Sequence, residues 1–498
     1  MLVVFSNHGI QYIIIVQKDR CLIFQEDQNI EHCFDDSPKE SCGVVGVYSP
    51  DFEVAQTLFY ALFALQHRGQ ESAGIATSAD GHIFSHKNTG LVSHVFQEDN
   101  LSSLVGKIGI GHTRYSTTGS SNNRNSQPLH VKSANSELAL AHNGNIVNVL
   151  ELKKELELEG VRFNTTIDSE VIAYLINSYP SEAISEKIKY AMRKIKGAYS
   201  LTILYKDQII GVRDPYGVRP LCIGKVENTF VVASETCALD HVGAEFVRDV
   251  EPGEIVVIDK MGLHSFHYDG LKVRPAPCIF EYIYFARPDS VMNGLLNYSV
   301  RRKMGIQLAK KYPVEADVVI GVPDSAIPAA IGYAFESGIP YSDGLIRNRY
   351  VGRTFIQPEQ RFRVLGASLK YNTLAEVVNN KKVVLLDDSI VRGTTTPQVL
   401  SLLKGAGAKE IHVRVCAPPI TNPCHFGVDL AKKSELIAAQ KSVLEIKEFI
   451  GANSLYYLNV EECLETFDGT LDTHCTACFT GDYPIPVQLE LDKMVLER

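Results

Sequence analysis

Residues 383–396, VVLLDDSIVRGTTT, decide the fold of the C-terminal half of this chain. Four apolar residues, two of them β-branched in succession, lead into Asp387 and Asp388, as in a buried parallel strand that ends in a polar site. Residues 394–408 have helix-compatible spacing, with Pro397 where a first helical turn tolerates it. Open α/β sheets bind ligands at the carboxyl ends of such strands. The stretch therefore predicts a strand, a loop and a helix around a binding site.

The residues of this loop suit a phosphorylated ribose. The N-terminus of the predicted helix favours a phosphate, and the hydroxyls of Ser389 and of residues 394–396 add donors. Asp387 and Asp388 would repel a phosphate, so they suit vicinal ribose hydroxyls or a divalent metal. On the pattern alone, an ordinary loop after a solvated acidic strand end is an equal alternative. A P-loop is disfavoured, because its G-x-x-x-x-G-K-[ST] motif does not occur.

The whole string resembles the 5-phosphoribosyl-1-pyrophosphate (PRPP) signature of type I phosphoribosyltransferases. The resemblance implies an α/β domain with a parallel sheet and a set of PRPP-binding residues: Lys370, Ser389, Arg392, Gly393, Thr394 and Thr395. It also implies Mg²⁺, shared between pyrophosphate oxygens and Ser325, Asp387 and Asp388, since this ion keeps few protein ligands. Lys370 would meet the pyrophosphate as a point charge.

Composition limits the classes of function. The chain has 498 residues, enough for two or three domains, and its 45% hydrophobic residues are typical of globular proteins. A net charge of −9 argues against a general nucleic-acid binder. No apolar run approaches the ~20 residues of a membrane span. The 11 cysteines are an odd number and too few for a disulfide scaffold, so we expect a cytoplasmic protein with reduced thiols.

The composition and the predicted secondary structure change along the chain. Residues 1–41 hold interrupted apolar stretches and an acidic patch, which do not fit a secretory signal and favour a removable or disordered leader. Residues 42–273 combine a majority of strands with helices outside them, which predicts a layered α+β domain. Two prolines at 274–277 indicate a linker. Residues 274–450 alternate helix and strand, as in a doubly wound parallel sheet. Residues 451–498 form a C-terminal segment.

Cys42 heads the first domain and is the second place where chemistry is expected. A free cysteine is usually a small buried hydrophobe, and nothing in CGVVG alone argues otherwise. Four further motifs follow it in order: FALQHRGQESAG at 63–74, GIGHTRYSTTG at 109–119, LAHNGN at 140–145 and TTIDSE at 165–170. Together with CGVVG they resemble the glutaminase domain of the N-terminal-nucleophile hydrolases. The resemblance implies an αββα arrangement of layers.

The same resemblance implies the roles of the glutaminase residues. A Cys42 thiol that attacks the glutamine carboxamide needs a base, because free cysteine is mostly protonated at neutral pH. Cleavage after Ser41 would supply it, since the α-amino group of Cys42 would then have a reference pKa of ~7.7–8.0. Asn143 and Gly144 would hold the oxyanion. The glutamine-binding residues would be Arg68, Gly69, Arg114 and Asp168.

Four cysteines are metal candidates. Cys475 and Cys478 form a C-x-x-C, which can place two thiolates on one metal or cluster. On spacing alone a surface thiol pair or a redox couple is equally consistent, and Cys278 and Cys424 are ordinary core cysteines.

The two domains together resemble the glutamine phosphoribosylpyrophosphate amidotransferase family from Cys42 almost to the C-terminus. Matching strings include RDPYGVRPL, EYIYFARPDS, GVPDSAIPAAIGYA and CFTGDYP. The resemblance implies that ammonia released from glutamine at Cys42 travels to PRPP, displaces pyrophosphate and yields 5-phosphoribosylamine, the first step of purine synthesis. One subgroup of the family carries a [4Fe–4S] cluster in the contexts of Cys278, Cys424, Cys475 and Cys478, and four thiolates also suit zinc.

The family resemblance implies three further properties, and two other classes of protein share part of the motifs. The basic stretch 347–363 resembles a flexible loop that closes over PRPP, purine nucleotides are the expected inhibitors, and a homotetramer is the expected assembly. A hexosamine synthase would share the glutaminase domain but would lack VVLLDDSIVRGTTT. A regulator that only binds PRPP would not need Cys42, Arg114, Asn143, Gly144 and Asp168 together.

Overall fold

The computed structural model describes residues 42–115, 122–132, 137–270, 273–348, 370–428, 430 and 432–487, together with the backbone of residues 2–7, 10–17 and 20–25. In this part of the chain no helix is long and apolar enough to cross a membrane.

The N-terminal domain contains two antiparallel sheets. The spatial order of the seven-stranded sheet is Glu245–Asp249, Cys222–Val226, Thr229–Ala233, Gly43–Tyr48, Ile108–Arg114, Ser72–Ala79 and His82–Thr89. The order of the six-stranded sheet is Gly262–His267, Glu254–Asp259, Gln208–Arg213, Gly197–Tyr205, Glu137–Ile146 and Leu129–Lys132.

The strand that follows Cys42 explains how these sheets pack. Side chains alternate between the two faces of a strand, so Val45 and Val47 pack against helices while Val44 packs against the other sheet. Gly46 also faces that sheet, and a Cβ there would lie 2.8 Å from Ile209. Glycine therefore lets the two sheets approach closely at this point.

Helices cover the outer face of each sheet. Ala55–Ala64 and Thr236–His241 pack on the seven-stranded sheet. The helices on the six-stranded sheet are Val149–Leu158, Asp168–Ser178 and Ile184–Lys194. Short helices at Val92–Val95, Glu98–Ser102 and Asn123–Asn125 complete the described part of this domain. The four layers confirm the predicted αββα arrangement.

The second domain is built on a four-stranded parallel sheet. Its strands lie in the order Val318–Gly321, Lys382–Asp387, Glu410–Val415 and Ser454–Tyr457. Its longer helices are Asn297–Lys311, Ile327–Ser337, Thr395–Gly405 and Val443–Ile450. The four apolar residues 383–386 are all fully buried, which is why their side chains do not alternate between apolar and polar. The predicted strand, loop and helix are confirmed.

Shorter elements surround this sheet. Two small antiparallel sheets of two strands each pair Val291–Met292 with Leu295–Leu296 and Leu345–Arg347 with Tyr371–Thr373. The short helices are Glu281–Phe285 (a π-helix), Ala375–Val378, Lys433–Glu435, Ile437–Gln440, Val460–Glu465 and Ala477–Thr480.

The predicted linker is exposed at residues 274 and 275 and packs against the first domain from Ala276 onward. Ala276 N donates to the Tyr216 carbonyl at 2.7 Å, and Cys278 N donates to the Val218 carbonyl at 3.1 Å. Ala276 and Cys278 belong to the same buried cluster as Val218 of the first domain and the sheet of the second. The two domains therefore share apolar packing at their junction.

The leader contains regular backbone. Its strands Leu2–Asn7, Ile10–Gln17 and Arg20–Gln25 form a three-stranded antiparallel sheet. The interpretation of residues 1–41 as a removable or disordered leader stays a prediction, and residues 26–41 lie outside the described residues.

Candidate functional sites

Cys42 lies immediately before a central strand of the seven-stranded sheet and is 4% exposed. Its thiol donates a hydrogen bond to the Tyr115 carbonyl at 3.2 Å. Burial raises the pKa of the Cys42 thiol, and this outweighs the opposing effects of that hydrogen bond and of Arg114. The thiol is therefore protonated at neutral pH and needs a base to become a nucleophile.

Arg114 and Asp168 converge on this thiol from different elements. Arg114 ends the strand Ile108–Arg114, in which Thr113 pairs with Gly43, and Asp168 begins the helix Asp168–Ser178. Both side chains are buried. The charge of Arg114 lowers the pKa of the Cys42 thiol, and the charge of Asp168 raises it. Asp168 Oδ2 accepts a hydrogen bond from Ile146 N at 3.1 Å. Opposite charges are thus available beside the thiol, as recognition of an amino acid requires.

Asn143 lies on the strand Glu137–Ile146, whose last residue bonds to Asp168. Its side-chain oxygen and nitrogen are both buried and have no hydrogen-bond partner among the described residues. Buried amides are normally paired, so such a group calls for a functional explanation. His112 Nε2 and the His142 carbonyl, 3.0 Å apart, connect the strand that carries Arg114 to the strand that carries Asn143. The amide of Asn143 is therefore a buried group without a partner among the described residues, on a strand that is joined to the strand of Arg114.

Two glycines allow this close packing. Gly144 has φ +144°, and a Cβ there would lie 2.0 Å from the Ala198 carbonyl oxygen. At Gly69 a Cβ would lie 2.6 Å from the backbone carbons of Thr113 and Arg114. Any side chain at either position would displace backbone of the candidate site.

Arg68 contacts the backbone of Cys42 and is 1% exposed. Its Nε donates to the Cys42 carbonyl at 3.1 Å, and its terminal nitrogens pair with Glu235 and Glu281. Burial opposes the charge of Arg68, but the two carboxylates raise its pKa above the usual value. The structure thus connects Arg68 with the backbone of the nucleophile, and its contact with glutamine stays a prediction.

The second candidate site lies at the ends of two neighbouring parallel strands. The Ser325 hydroxyl donates to Asp388 Oδ2, and the Ser389 hydroxyl donates to Asp388 Oδ1 at 2.6 Å. Burial raises the pKa of Asp388, although these hydrogen bonds and the charges of Arg301 and Lys370 oppose the shift. Ser325 and Ser389 therefore contact Asp388, and Lys370 lies close enough to influence its pKa, while the roles of these residues stay predictions.

The loop that follows Asp388 continues from Ser389 into a helix. Gly393 has φ +73°, and Thr394 is the residue before the helix Thr395–Gly405. Arg392 Nε lies 3.1 Å from Glu435 Oε2, so part of its charge is balanced within the fold. Of the predicted basic loop, Arg347 pairs with Asp324 at 3.1 Å, and residues 349–369 lie outside the described residues.

The four candidate cluster cysteines come from three segments that meet. Cys278 and Cys475 form an isolated parallel bridge, and Cys475 N donates to the Pro277 carbonyl at 3.0 Å. Thr421 N, close in sequence to Cys424, donates to the Cys478 carbonyl at 3.0 Å. Burial raises the pKa of the Cys478 thiol, and the charges of Cys278, Cys424 and Cys475 raise it further. Across the described ranges, no three His, Cys, Asp or Glu side chains are arranged to hold a single metal ion.

The segment after Cys424 reaches the glutaminase site. Asn145 Nδ2 donates to the His425 carbonyl at 2.9 Å. A Cβ at Gly427 would lie 2.8 Å from the Gly144 backbone. Residues 425–427 of the second domain therefore pack directly on the strand that holds Asn143.

Several of these residues were not predicted from the sequence: Asn145, Glu235, Glu281 and residues 425–427. The available signal was the presence of charged residues in otherwise apolar strings, such as Glu281 in EYIYFARPDS. Buried charges are rare unless they are paired, so such positions point to partners elsewhere in the chain.

Two domain families match the sequence. Residues 112–241 match the glutamine amidotransferase domain, and residues 296–458 match the phosphoribosyl transferase domain.

Full-length relatives are similar to both domains. An amidophosphoribosyltransferase from Archaeoglobus fulgidus is 50% identical over 90% of this chain and 98% of its own length. One from Synechococcus elongatus is 48% identical over 93% and 95%, and one from Bacillus subtilis is 47% identical over 90% and 95%.

Solved structures agree with these relatives. One is described as the allosteric regulatory enzyme of purine biosynthesis, and it covers 90% of this chain and 97% of its own with a TM-score of 0.85 and 46% identity. Glutamine PRPP amidotransferase from B. subtilis, complexed with ADP and GMP, has the same TM-score and identity over 90% and 98%. The chain therefore belongs to the amidophosphoribosyltransferase family, the enzymes of purine biosynthesis that join a glutamine amidotransferase domain to a phosphoribosyltransferase domain.

Proposed function

We propose that the two sites divide the amidophosphoribosyltransferase reaction between them. The Cys42 site hydrolyses glutamine to glutamate and ammonia, and the site at residues 387–395 joins that ammonia to carbon 1 of PRPP with loss of pyrophosphate. The observation that carries the proposal is that the charges of Arg114 and Asp168 both act on the buried Cys42 thiol, while Asp168 also accepts a hydrogen bond from the strand that holds the amide of Asn143, unpartnered among the described residues.

At the first site, each group has a distinct task. The Cys42 sulfur attacks the carboxamide carbon, and its proton passes to the α-amino group that removal of residues 1–41 would expose. The amide of Asn143 donates to the oxyanion, with the Gly144 N–H as the second donor. Arg114 binds the α-carboxylate of glutamine, and Asp168 binds its α-ammonium. Ammonia leaves, and water then releases glutamate from the thioester.

Substrate binding at this site includes backbone as well as side chains. Gly69 packs on the backbone of Arg114, and Arg68 holds the Cys42 carbonyl. These contacts support a role for both residues in shaping the glutamine pocket. The burial that raises the pKa of the thiol makes the α-amino base necessary.

At the second site, the loop from Ser389 to Thr395 binds the phosphate of PRPP. Its hydroxyls and the helix N-terminus favour an anion, and Arg392, Gly393 and Thr394 complete the loop. Lys370 lies near Asp388 and supplies positive charge for pyrophosphate. The basic stretch 347–363 closes over the bound substrate in this proposal.

Mg²⁺ fits the acidic end of this loop. The ion needs only one or two carboxylates because substrate phosphates supply most of its ligands. Asp387, Asp388 and the Ser325 hydroxyl offer oxygen ligands there. Bound Mg²⁺ would neutralise charge on the pyrophosphate, while Ser325 and Ser389 fix the orientation of Asp388.

A [4Fe–4S] cluster is the group proposed for the four cysteines, and a four-thiolate zinc site is the alternative. Three segments bring these cysteines together: Cys278 and Cys475 form a parallel bridge, and Thr421 N, close in sequence to Cys424, donates to the Cys478 carbonyl at 3.0 Å. Bound there, a cluster would hold the C-terminal segment 451–498 against the junction of the two domains.

The remaining features of the proposal follow from the family. One relative of known structure binds ADP and GMP, which supports purine nucleotides as inhibitors of this chain. A homotetramer in the cytoplasm and domain limits of 42–273 and 274–450 complete it.

Replacing the nucleophile tests the division of labour. In Cys42→Ala, glutamine-dependent formation of 5-phosphoribosylamine should disappear, while formation from added ammonia and PRPP should remain. Cys463→Ala, which removes a buried sulfur elsewhere, is the matched control. Asp388→Asn should reduce both the glutamine-dependent and the ammonia-dependent rates. Glutamine-dependent turnover in Cys42→Ala would overturn the assignment.

A further inference from the structure

Glu281 connects two buried arginines. Its Oε1 accepts hydrogen bonds from Arg68 Nη2 at 2.7 Å and from Arg219 Nη1 at 3.1 Å, and its Oε2 accepts from Arg68 Nη1 at 3.0 Å. The exposed fractions of Glu281, Arg68 and Arg219 are 2%, 1% and 0%. Charges so deeply buried persist only when they are paired, so the three side chains form one unit.

The two ends of this unit contact different domains. At one end, Arg68 Nε holds the carbonyl of Cys42 at 3.1 Å. At the other end, Arg219 donates from Nε and Nη2 to the Phe426 carbonyl, at 2.9 and 2.7 Å. Phe426 belongs to the segment 425–427, which packs on the strand that holds Asn143. A continuous path therefore runs from the nucleophile to the second domain.

Glu281 itself lies between the two regions that match domain families, which end at residue 241 and begin at residue 296. It is the first residue of the π-helix Glu281–Phe285. Such widened turns are rare and are frequent at functional sites. The junction between the domains thus supplies the carboxylate.

The charges of this network are balanced. Arg68 and Arg219 carry two positive charges, and Glu235 and Glu281 carry two negative charges. Arg68 contacts both carboxylates, and Arg219 contacts Glu281. A neutral residue at 281 would leave excess positive charge in the interior and weaken the hold of Arg68 on the Cys42 carbonyl.

We propose that Glu281 is a positioning residue for glutamine hydrolysis, which fixes the backbone of Cys42 through Arg68 and ties it to the segment 425–427 through Arg219. The inference rests on the proposed role of Cys42 as nucleophile. Glu281 contacts no substrate in this proposal, so its effect is on the alignment of the thiol. Small misplacements of a reacting group can reduce a rate by about a hundredfold.

The test compares Glu281→Gln with Glu254→Gln in the full-length enzyme. Glu254 is 1% exposed and pairs with Arg248 at 2.6 and 2.8 Å, so it is a matched buried carboxylate away from Cys42. In Glu281→Gln, kcat for glutamine hydrolysis should fall on the order of tenfold to a hundredfold. KM for glutamine should change little, because Arg114 and Asp168 remain. Alkylation of Cys42 by a glutamine-like chloroketone should slow in parallel.

Two readouts separate positioning from general instability. Ammonia-dependent synthesis should be retained in Glu281→Gln, and Glu254→Gln should not lower glutamine hydrolysis selectively. If Glu281→Gln does not fold, Glu281→Asp keeps the charge and shifts it by one methylene, and the same selective loss is expected. Equal losses of both activities, or no loss of glutamine hydrolysis, would overturn the inference. An unmodified enzyme without Cys42-dependent hydrolysis would instead refute the proposed function.

Discussion

Substitution of Gly427 by alanine should disable glutamine hydrolysis from within the second domain. A Cβ at this position would lie 2.8 Å from both Cα and the carbonyl carbon of Gly144 and 3.0 Å from its oxygen. All three contacts are with backbone, which cannot move aside by changing a rotamer. The strand that holds Asn143 must therefore shift, and the proposed oxyanion donors shift with it.

The size of the effect follows from two contributions. Gly427 has φ +95°, and a left-handed backbone with a Cβ costs roughly 1–2 kcal/mol. Loss of one oxyanion donor typically costs about 2.7–4 kcal/mol of transition-state stabilisation, a factor of about 10²–10³ in kcat. We therefore expect kcat for glutamine hydrolysis to fall by about two to three orders of magnitude. The free energy of unfolding should fall by roughly 1–2 kcal/mol from the backbone alone.

The assay measures glutamate release from glutamine and pyrophosphate release with added ammonia, in separate reactions. Gly338→Ala is the matched control, since Gly338 has φ +72° and a Cβ there would meet no neighbouring atom within 4 Å in the described part of the chain. That variant carries the backbone strain without the collision and should retain both activities. If Gly427→Ala hydrolyses glutamine at the normal rate, or loses both activities equally, the packing argument is wrong.

Three further predictions concern protonation and metal binding. Burial lowers the pKa of Lys87 to about 8 from an unfolded value of 10.5. Between these two pH values the unfolded chain binds more protons, so the free energy of unfolding rises with pH. Lys87→Met should flatten this rise in urea titrations at a series of pH values, and an unchanged slope would contradict the prediction. In enzyme that retains Ser41, the rate of Cys42 alkylation by iodoacetamide should rise about tenfold per pH unit through pH ~9, because burial raises the pKa of the thiol. A rate that reaches a plateau near neutral pH would refute this prediction. Cys478→Ser should lose visible absorption and bound iron, whereas Cys463→Ser should keep both; a colourless, zinc-containing parent enzyme would exclude the cluster.

Local patterns made much of the fold predictable. The run 383–386 is apolar at every position because the strand is buried on both faces, and the loop that follows occurs where a parallel sheet binds ligands. The helix Ile327–Ser337 fits the predicted alternation of helix and strand, and it ends at Gly338 with its left-handed backbone. The leader was harder to interpret, because short apolar stretches between polar residues fit strands and unstructured chain alike.

The candidate sites were predictable to a different degree. Motif resemblance named Cys42, Asn143, Arg114 and Asp168, and Ser325 and Asp388 do meet across two strand ends. Resemblance did not reveal that Arg68 holds the backbone of Cys42, because that contact depends on charges supplied from residues 235 and 281.

By itself, the sequence determined the two domain types, the order of their elements and the residue types needed for each reaction. These properties depend on periodicity and on contiguous motifs, which act over a few residues. Only the tertiary structure decided that Glu281 links Arg68 to Arg219, and that Gly427 packs on Gly144. Such partners are far apart in the chain, and a buried charge or a missing Cβ does not specify which distant group it will meet. These contacts are a property of how the folded domains pack together.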